Sequence, residues 1–142
     1  MARPSGPKTR NGKQWTEARF NSFITSNLRR TTMRWAPIAN CLKGARLSFG
    51  IYRCAQCKQE VPASIKVGGK RVKNVHVDHI IPAIDPDVGF VSWDSFINRL
   101  FCEADNLQVL CHECHMKKSD EEKAIAKARR ERNKELDDIE VS

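Results

Sequence analysis

Apolar positions first recur at helical spacing in Phe20, Phe23, Ile24 and Leu28, with Thr16 placed to cap them, which predicts a helix over roughly residues 16–30. Pro37 suits a first helical position, and Ile38, Cys41, Leu42 and Ala45 carry a second apolar face to about Phe49. Cys41 falls on that face as a small buried thiol. Beyond Arg53 the pattern shortens. Val67 and Val72 flank Gly68-Gly69, a hairpin signal with the two glycines at its tip. Val75, Val77 and Ile80 are β-formers that end in a turn near Pro82, and they leave His76, Asp78 and His79 as the polar positions of a short strand. Residues 82–91 read as a loop in which Asp85 and Asp87 are turn residues, since Pro86 and the missing downstream pattern exclude a calcium-binding hand. Ser92 caps a helix whose Trp93, Phe96, Ile97, Leu100 and Phe101 face the core, and Cys102 closes it without a function of its own. Residues 107–110 form a second short strand. A short helix over 111–117 follows, and Ser119, Asp120, Glu121 and Glu122 form a capping box that starts a last helix to about Leu136. That helix is charged on every face. It reads as a solvated appendage in preference to a track for Lys127, Arg129, Arg130 and Arg132 along DNA.

Charge changes this picture more than composition does. The 142 residues suit one domain with an arm, and the net charge is +8. Residues 1–53 hold eleven Lys or Arg against Glu17 alone, a local net of +10, whereas the remainder nets −2. So polarised a chain predicts a polyanionic partner, because Lys and Arg contacts to phosphate release counterions. Residues 1–14, rich in Pro, Gly and basic side chains, read as a disordered basic arm. Arg29 and Arg30 at the first helix's end, with Arg34, are placed to grip a phosphate backbone, and Trp35 is either a stacking platform or core. The N-terminus has no apolar run that would make a secretory signal, and no stretch is apolar enough to span a membrane. The expected compartment is the cytoplasm, where six cysteines favour metal binding over disulfides.

Two Cys-x-x-Cys pairs, Cys54/Cys57 and Cys111/Cys114, supply the four ligands of a tetrahedral zinc, each pair turning two sulfurs to one centre. The redox reading of such pairs lacks its βαβ context. A second set comprises His76, Asp78, His79, Asn106 and His115. Imidazole and carboxylate suit a divalent ion, and an imidazole with a reference pKa of about 6.5 suits a base near neutral pH. Strict strand alternation puts His76 and Asp78 on one face and His79 on the other.

Together, Cys54-x-x-Cys57, Val77-Asp78-His79-Ile80, Asp105-Asn106-Leu107 and Leu110-Cys111-x-x-Cys114-His115 resemble the HNH endonucleases of the ββα-metal class, over roughly residues 52–122. Arg34-Trp35, Trp93-Asp94 and Arg99-Leu100-Phe101-Cys102 also look like short HNH proteins of tailed bacteriophages. The resemblance implies an α+β fold: a basic helical DNA-binding region over 15–50, a zinc-stapled ββα nuclease core over 51–122, and a charged C-terminal helix and tail over 123–142. It implies metal-dependent cleavage or nicking of DNA, with His79 as general base and Asn106 tying the loop and orienting His79. Asp78 and His115 would hold a catalytic Mg²⁺, Mn²⁺ or other divalent ion. This assignment requires the strand to bend at Asp78-His79; without a bend, His76 is a rival ligand or stands just behind the ligands. Lys117 and Lys118 join Arg29, Arg30, Arg34 and Trp35 as expected DNA contacts, and His112 is a surface or phosphate-contacting residue. The expected partner is DNA, with a homodimer or a phage or host protein as further partners, and the host cytoplasm is the setting if the chain is phage-encoded. Two rival functions stand beside this one: a zinc-stabilised nucleic-acid-binding module without catalysis, and a nuclease subunit active only within a phage packaging or replication complex.

Overall fold

The computed structural model describes residues 6–141, an α+β chain of two compact units that divide between Arg34 and Trp35. Residues 1–5 of the expected disordered arm lie outside the described residues. The rest of that arm pairs: β1 (Lys8–Arg10) runs antiparallel to β2 (Trp15–Thr16), and α1 (Glu17–Thr31) follows directly. Three contacts explain why so basic a stretch is ordered. The Arg10 guanidinium meets Glu17 at 2.9 Å and lies over the Phe20 ring, and Trp15 packs on Phe23 with ring centroids 5.1 Å apart. Thr16 caps α1 as its sequence predicts, its side chain accepting from the Arg19 N–H at 3.2 Å.

The second unit begins with α2 (Ala36–Ala45), so this helix groups with the downstream chain and not with α1. It ends before the expected Phe49, because Arg46 turns extended and residues 46–48 become β3 (Arg46–Ser48). β3, β4 (Ile51–Arg53) and β5 (Glu60–Pro62) form an antiparallel sheet in that order. β6 (Ser64–Val67) and β7 (Lys70–Lys73) make the hairpin expected around Gly68-Gly69, both of which adopt positive φ.

The ribbon that carries the site is β8 (Val75–His79) paired antiparallel with β9 (Leu107–Cys111). Between them lies α3 (Trp93–Leu100), whose N-cap Ser92 accepts from the Ser95 N–H. Phe96, Leu100, Leu110 and Cys54 are the largest fully buried side chains, and Val75, Leu107 and Val109 join them. The core therefore sits on the ribbon, with α2 and α4 each packed along both strands.

α4 (His112–Val141) is one continuous helix of 30 residues, about 45 Å at 1.5 Å per residue, where two were expected. No Pro or Gly interrupts the chain after Cys111, so the N–H groups of residues 119–122 find helical carbonyls and leave nothing for a capping box to cap. Nor is its distal half merely a solvated appendage. Arg129 donates to the Pro86 carbonyl at 3.1 Å and Arg132 reaches both the carbonyl and carboxylate of Asp87, clasping the 85–89 turn. A Cβ on Gly89 would stand 2.8 Å from the Arg129 guanidinium, and its φ of +88° favours glycine as well. Among the described residues, no helix is long and apolar enough to cross a membrane.

Candidate metal centre and active-site face

The first cysteine pair is presented by a tight turn. Cys54 N–H donates to the Gln59 carbonyl, Lys58 N–H donates back to the Cys54 carbonyl, and Lys58 takes a left-handed φ of 64°. Ala55 N–H then bonds the Val109 carbonyl at 2.8 Å, which docks this turn on the edge of β9, beside Cys111. The second pair spans the end of β9 and the first turn of α4. Its position is fixed by buried Asn74, whose backbone carbonyl accepts the His112 N–H at 2.8 Å while its amide donates to the Pro62 carbonyl. Asn74 carries no sequence signal beyond preceding a strand.

All four sulfurs lie within 4.8 Å of one another. Sulfurs about 2.3 Å from a tetrahedral zinc lie about 3.8 Å apart, and Cys57 and Cys111 stand at 4.0 Å. That is too far for a disulfide of about 2.05 Å, and all the cysteines are free. Electrostatics agree with the geometry. Burial pushes the Cys54 thiol up, but backbone donors from Cys111, Cys57 and Gln56, with the Cys57 thiol, outweigh it and hold Cys54 down at about 6. Burial raises Cys111, and burial with the neighbouring thiols pushes Cys114 up to about 12. Cys54 forms its thiolate readily, whereas Cys111 and Cys114 resist until a cation is present. The set fits a metal ion such as zinc. Cys41 and Cys102 stand outside it, as expected.

The ribbon's polar residues divide between its two faces. Register is continuous from Val75↔Cys111 to His79↔Leu107. The bend that the family assignment requires at Asp78-His79 is therefore not made by a register break. Alternation puts His76 and Asp78 on one face and His79 on the other. On the first face, Asp78 Oδ2 accepts from Gln108 Nε2 at 3.0 Å and from Lys118 Nζ at 2.5 Å. Lys118 also donates to the carbonyls of His79 and Ile80 and lies 3.5 Å from Glu122. It is a strut between α4 and the ribbon's end, a role its expected DNA contact overlooked. Lys117, by contrast, is exposed on a cleft of about 600 Å³ between the first knuckle, the ribbon and α4.

His76 meets two other imidazoles, each in a different way. Its ring stacks on His115 with centroids 4.5 Å apart, and its Nε2 stands 3.3 Å from His112 Nδ1. Burial, then the neighbouring His115, Lys73 and His112, push His76 below the usual histidine value. His112 thus belongs to the site and not to the open surface. Asp78 and His115, the expected ligand pair, share no tight group of three donors: among the described residues only the four cysteines form one.

His79 is held from elsewhere. Its Nε2 lies 2.7 Å from the Leu100 carbonyl, an oxygen left without a helical partner at the C-terminus of α3. A carbonyl can only accept, so Nε2 carries the proton and Nδ1 of the neutral ring keeps its lone pair. Asn106 ties the loop as expected, its Oδ1 accepting from Ile81 N–H at 2.8 Å and its Nδ2 donating to the Ile81 carbonyl at 3.1 Å. Orientation of the His79 ring falls to Leu100 and not to Asn106. No residue letter could announce that, because the partner is a main-chain oxygen.

Comparison with protein-family models, curated proteins and solved structures gives no match.

Trp35 donates its indole N–H to the Cys102 carbonyl at 2.7 Å and meets Phe101 edge-on at 5.5 Å, so it staples the start of α2 to the end of α3. The ring is half-buried in that contact. In the N-terminal unit, Arg30 lines a groove with Trp15, Arg19 and Phe23, and Arg29 and Arg34 lie near the same helix end.

Proposed function

We propose that the chain is a metal-dependent DNA endonuclease of the HNH type. The observation that carries this reading is the His79 imidazole, fixed by the Leu100 carbonyl in the tautomer whose free Nδ1 accepts a proton. A carboxylate, Asp78, is its chain neighbour, and an asparagine clasp closes the loop that follows. His79 Nδ1 takes a proton from a water molecule as that water attacks the scissile phosphorus, and the Nε2–H bond to Leu100 holds the ring throughout. Asp78 and His115 are the carboxylate and imidazole that would hold the divalent ion, whose bound chemistry is to neutralise charge developing on the phosphate. Cleavage of the bond to the 3′ oxygen leaves 5′-phosphate and 3′-hydroxyl ends. DNA affinity comes from the basic N-terminal third of the chain, through Arg29, Arg30 and Arg34.

One observation favours a second reading, a zinc-stabilised nucleic-acid-binding module without catalysis: the ammonium of Lys118 already partners Asp78. Incubating supercoiled plasmid with the purified protein, Mg²⁺ or Mn²⁺, and chelator separates the two. Metal-dependent nicking or linearisation supports the nuclease. DNA binding that leaves the plasmid supercoiled under every metal supports the module.

A further inference from the structure

Residues 61–77 hold Lys66, Lys70, Arg71 and Lys73 and no Asp or Glu, a basic island in a stretch of chain that is otherwise net acidic. All four are exposed, and none has an ion-pair partner among the described residues. They lie on β6 and β7, which pair with each other and with no third strand. The register divides them between two faces. Ser64 is opposite Lys73 and Lys66 is opposite Arg71, so these four share one face. Ile65, Val67, Lys70 and Val72 share the other, where Ile65 and Val72 are half-buried. Like charges directly opposite each other, as Lys66 and Arg71 are, destabilise a strand pair. The neighbour that Arg71 does find is the neutral Ser64 hydroxyl, at 2.8 Å.

We propose that the Lys66–Arg71–Lys73 face of the β6–β7 ribbon docks in the major groove of duplex DNA, its three cations on the phosphates that wall the groove. A groove about 12 Å wide admits two strands that lie about 4.8 Å apart, whereas the A-form RNA groove is too narrow for such entry. Gly68 and Gly69 at the tip bring no side chain, so the leading edge of the ribbon is backbone alone. Its base is held by buried Asn74, whose N–H donates to the Ala63 carbonyl and whose side-chain amide donates to the Pro62 carbonyl, both at 2.9 Å. Asn74 is also the single residue between β7 and β8, which ties the basic ribbon directly to the strand of His76, Asp78 and His79. The inference adds a DNA-contacting surface to the N-terminal arginines; it rests on the DNA partner of the proposed function but not on cleavage.

The test is fluorescence anisotropy of a short labelled DNA duplex with full-length, zinc-loaded protein over a range of salt, without Mg²⁺ or Mn²⁺, so that binding is read apart from cleavage. Lys66→Ala, Arg71→Ala and Lys73→Ala should each lower the log–log salt slope by about 0.9. Lys70→Ala, on the other face, and Lys66→Arg, which keeps the charge, should leave the slope at the wild-type value. Tm should hold or rise in Lys66→Ala and Arg71→Ala, because a like-charge pair is relieved, so lost binding cannot be lost fold. On a duplex whose major groove is already filled with methyl green, the difference between wild type and Arg71→Ala should vanish. The proposal is overturned if the three variants leave the slope unchanged, for the cations would then only keep exposed strands soluble. It is also overturned if the difference survives methyl green, or if an RNA duplex loses the same slope. A chain that binds DNA through the ribbon yet leaves plasmid supercoiled under every divalent ion counts against the nuclease alone. A chain that cuts plasmid while the ribbon variants bind undiminished counts against the ribbon alone.

Discussion

Replacing Lys118 with Met removes the ammonium from a place where four oxygens surround it. The 2.5 Å pair with Asp78 is largely shielded, the two side chains being 24% and 13% exposed. Breaking a fully buried ion pair by deleting one partner costs about 3–5 kcal/mol, because the remaining charge stays buried and uncompensated. Partial exposure here reduces that to about 2–3 kcal/mol, since water reaches the site and screens it. Gln108 continues to donate to Asp78, and the His79 and Ile80 carbonyls lose a donor. For a chain of this size each kcal/mol moves the midpoint about 2–4 °C, so Lys118→Met should lower Tm by roughly 5–10 °C. Thermal unfolding of zinc-loaded protein, followed by circular dichroism, reads this directly. Adding Asp78→Asn to Lys118→Met should recover about half or more of the loss, because the stranded charge is gone. A loss below about 0.5 kcal/mol, the range of ordinary surface substitutions, would refute the strut.

Three further predictions concern zinc and DNA. Cys54→Ser or Cys114→Ser should abolish zinc binding and unfold the second unit, since a structural zinc contributes about 10–16 kcal/mol in small sites, whereas Cys41→Ser and Cys102→Ser should keep zinc; atomic absorption on purified variants checks both. Zinc affinity should rise with pH through neutrality, because Cys111 and Cys114 are pushed up and must release protons on binding, and it should collapse as pH falls through about 6, where Cys54 too becomes protonated. Calorimetry in buffers of different ionisation enthalpy counts those protons, and a count of zero would contradict the thiol tetrad. Arg30→Ala and Arg34→Ala should each lower the log–log salt slope of DNA binding by about 0.9 while weakening all sequences alike. Loss confined to one sequence would mean that these residues read bases.

What the sequence carried was local. Thr16 and Ser92 cap their helices and Gly68-Gly69 turns its hairpin, because each signal acts within a few residues of itself; the distant cysteine pairs were legible because one metal ion calls for all four sulfurs. Alternation in β8 was legible too, and the ribbon obeys it through His79. The long-range roles were not legible. Lys118 looks like any surface lysine until α4 lays it across the ribbon's end, and Trp35 like a stacking platform until α3 offers it a carbonyl. The Ser119 capping box failed because local signals yield when an uninterrupted helix satisfies the same N–H groups. His79 was singled out by its letter, but the partner that holds its ring is a backbone oxygen 21 residues away, which no pattern of side chains encodes.

The most direct test of the central claim is single-turnover cleavage of a supercoiled plasmid by wild type and His79→Ala, each carrying its zinc. The wild type should cut with Mg²⁺ or Mn²⁺ and stop with chelator. His79→Ala should keep fold, zinc and DNA affinity, because its ring is held by the Leu100 carbonyl and is none of the four sulfur ligands, and the proposed DNA contacts are Arg29, Arg30 and Arg34. Its rate should fall by at least ~10²-fold, the low end for a positioned general base. Cleavage that persists near the wild-type rate in His79→Ala, or a wild type that cuts under no divalent ion, would contradict the account.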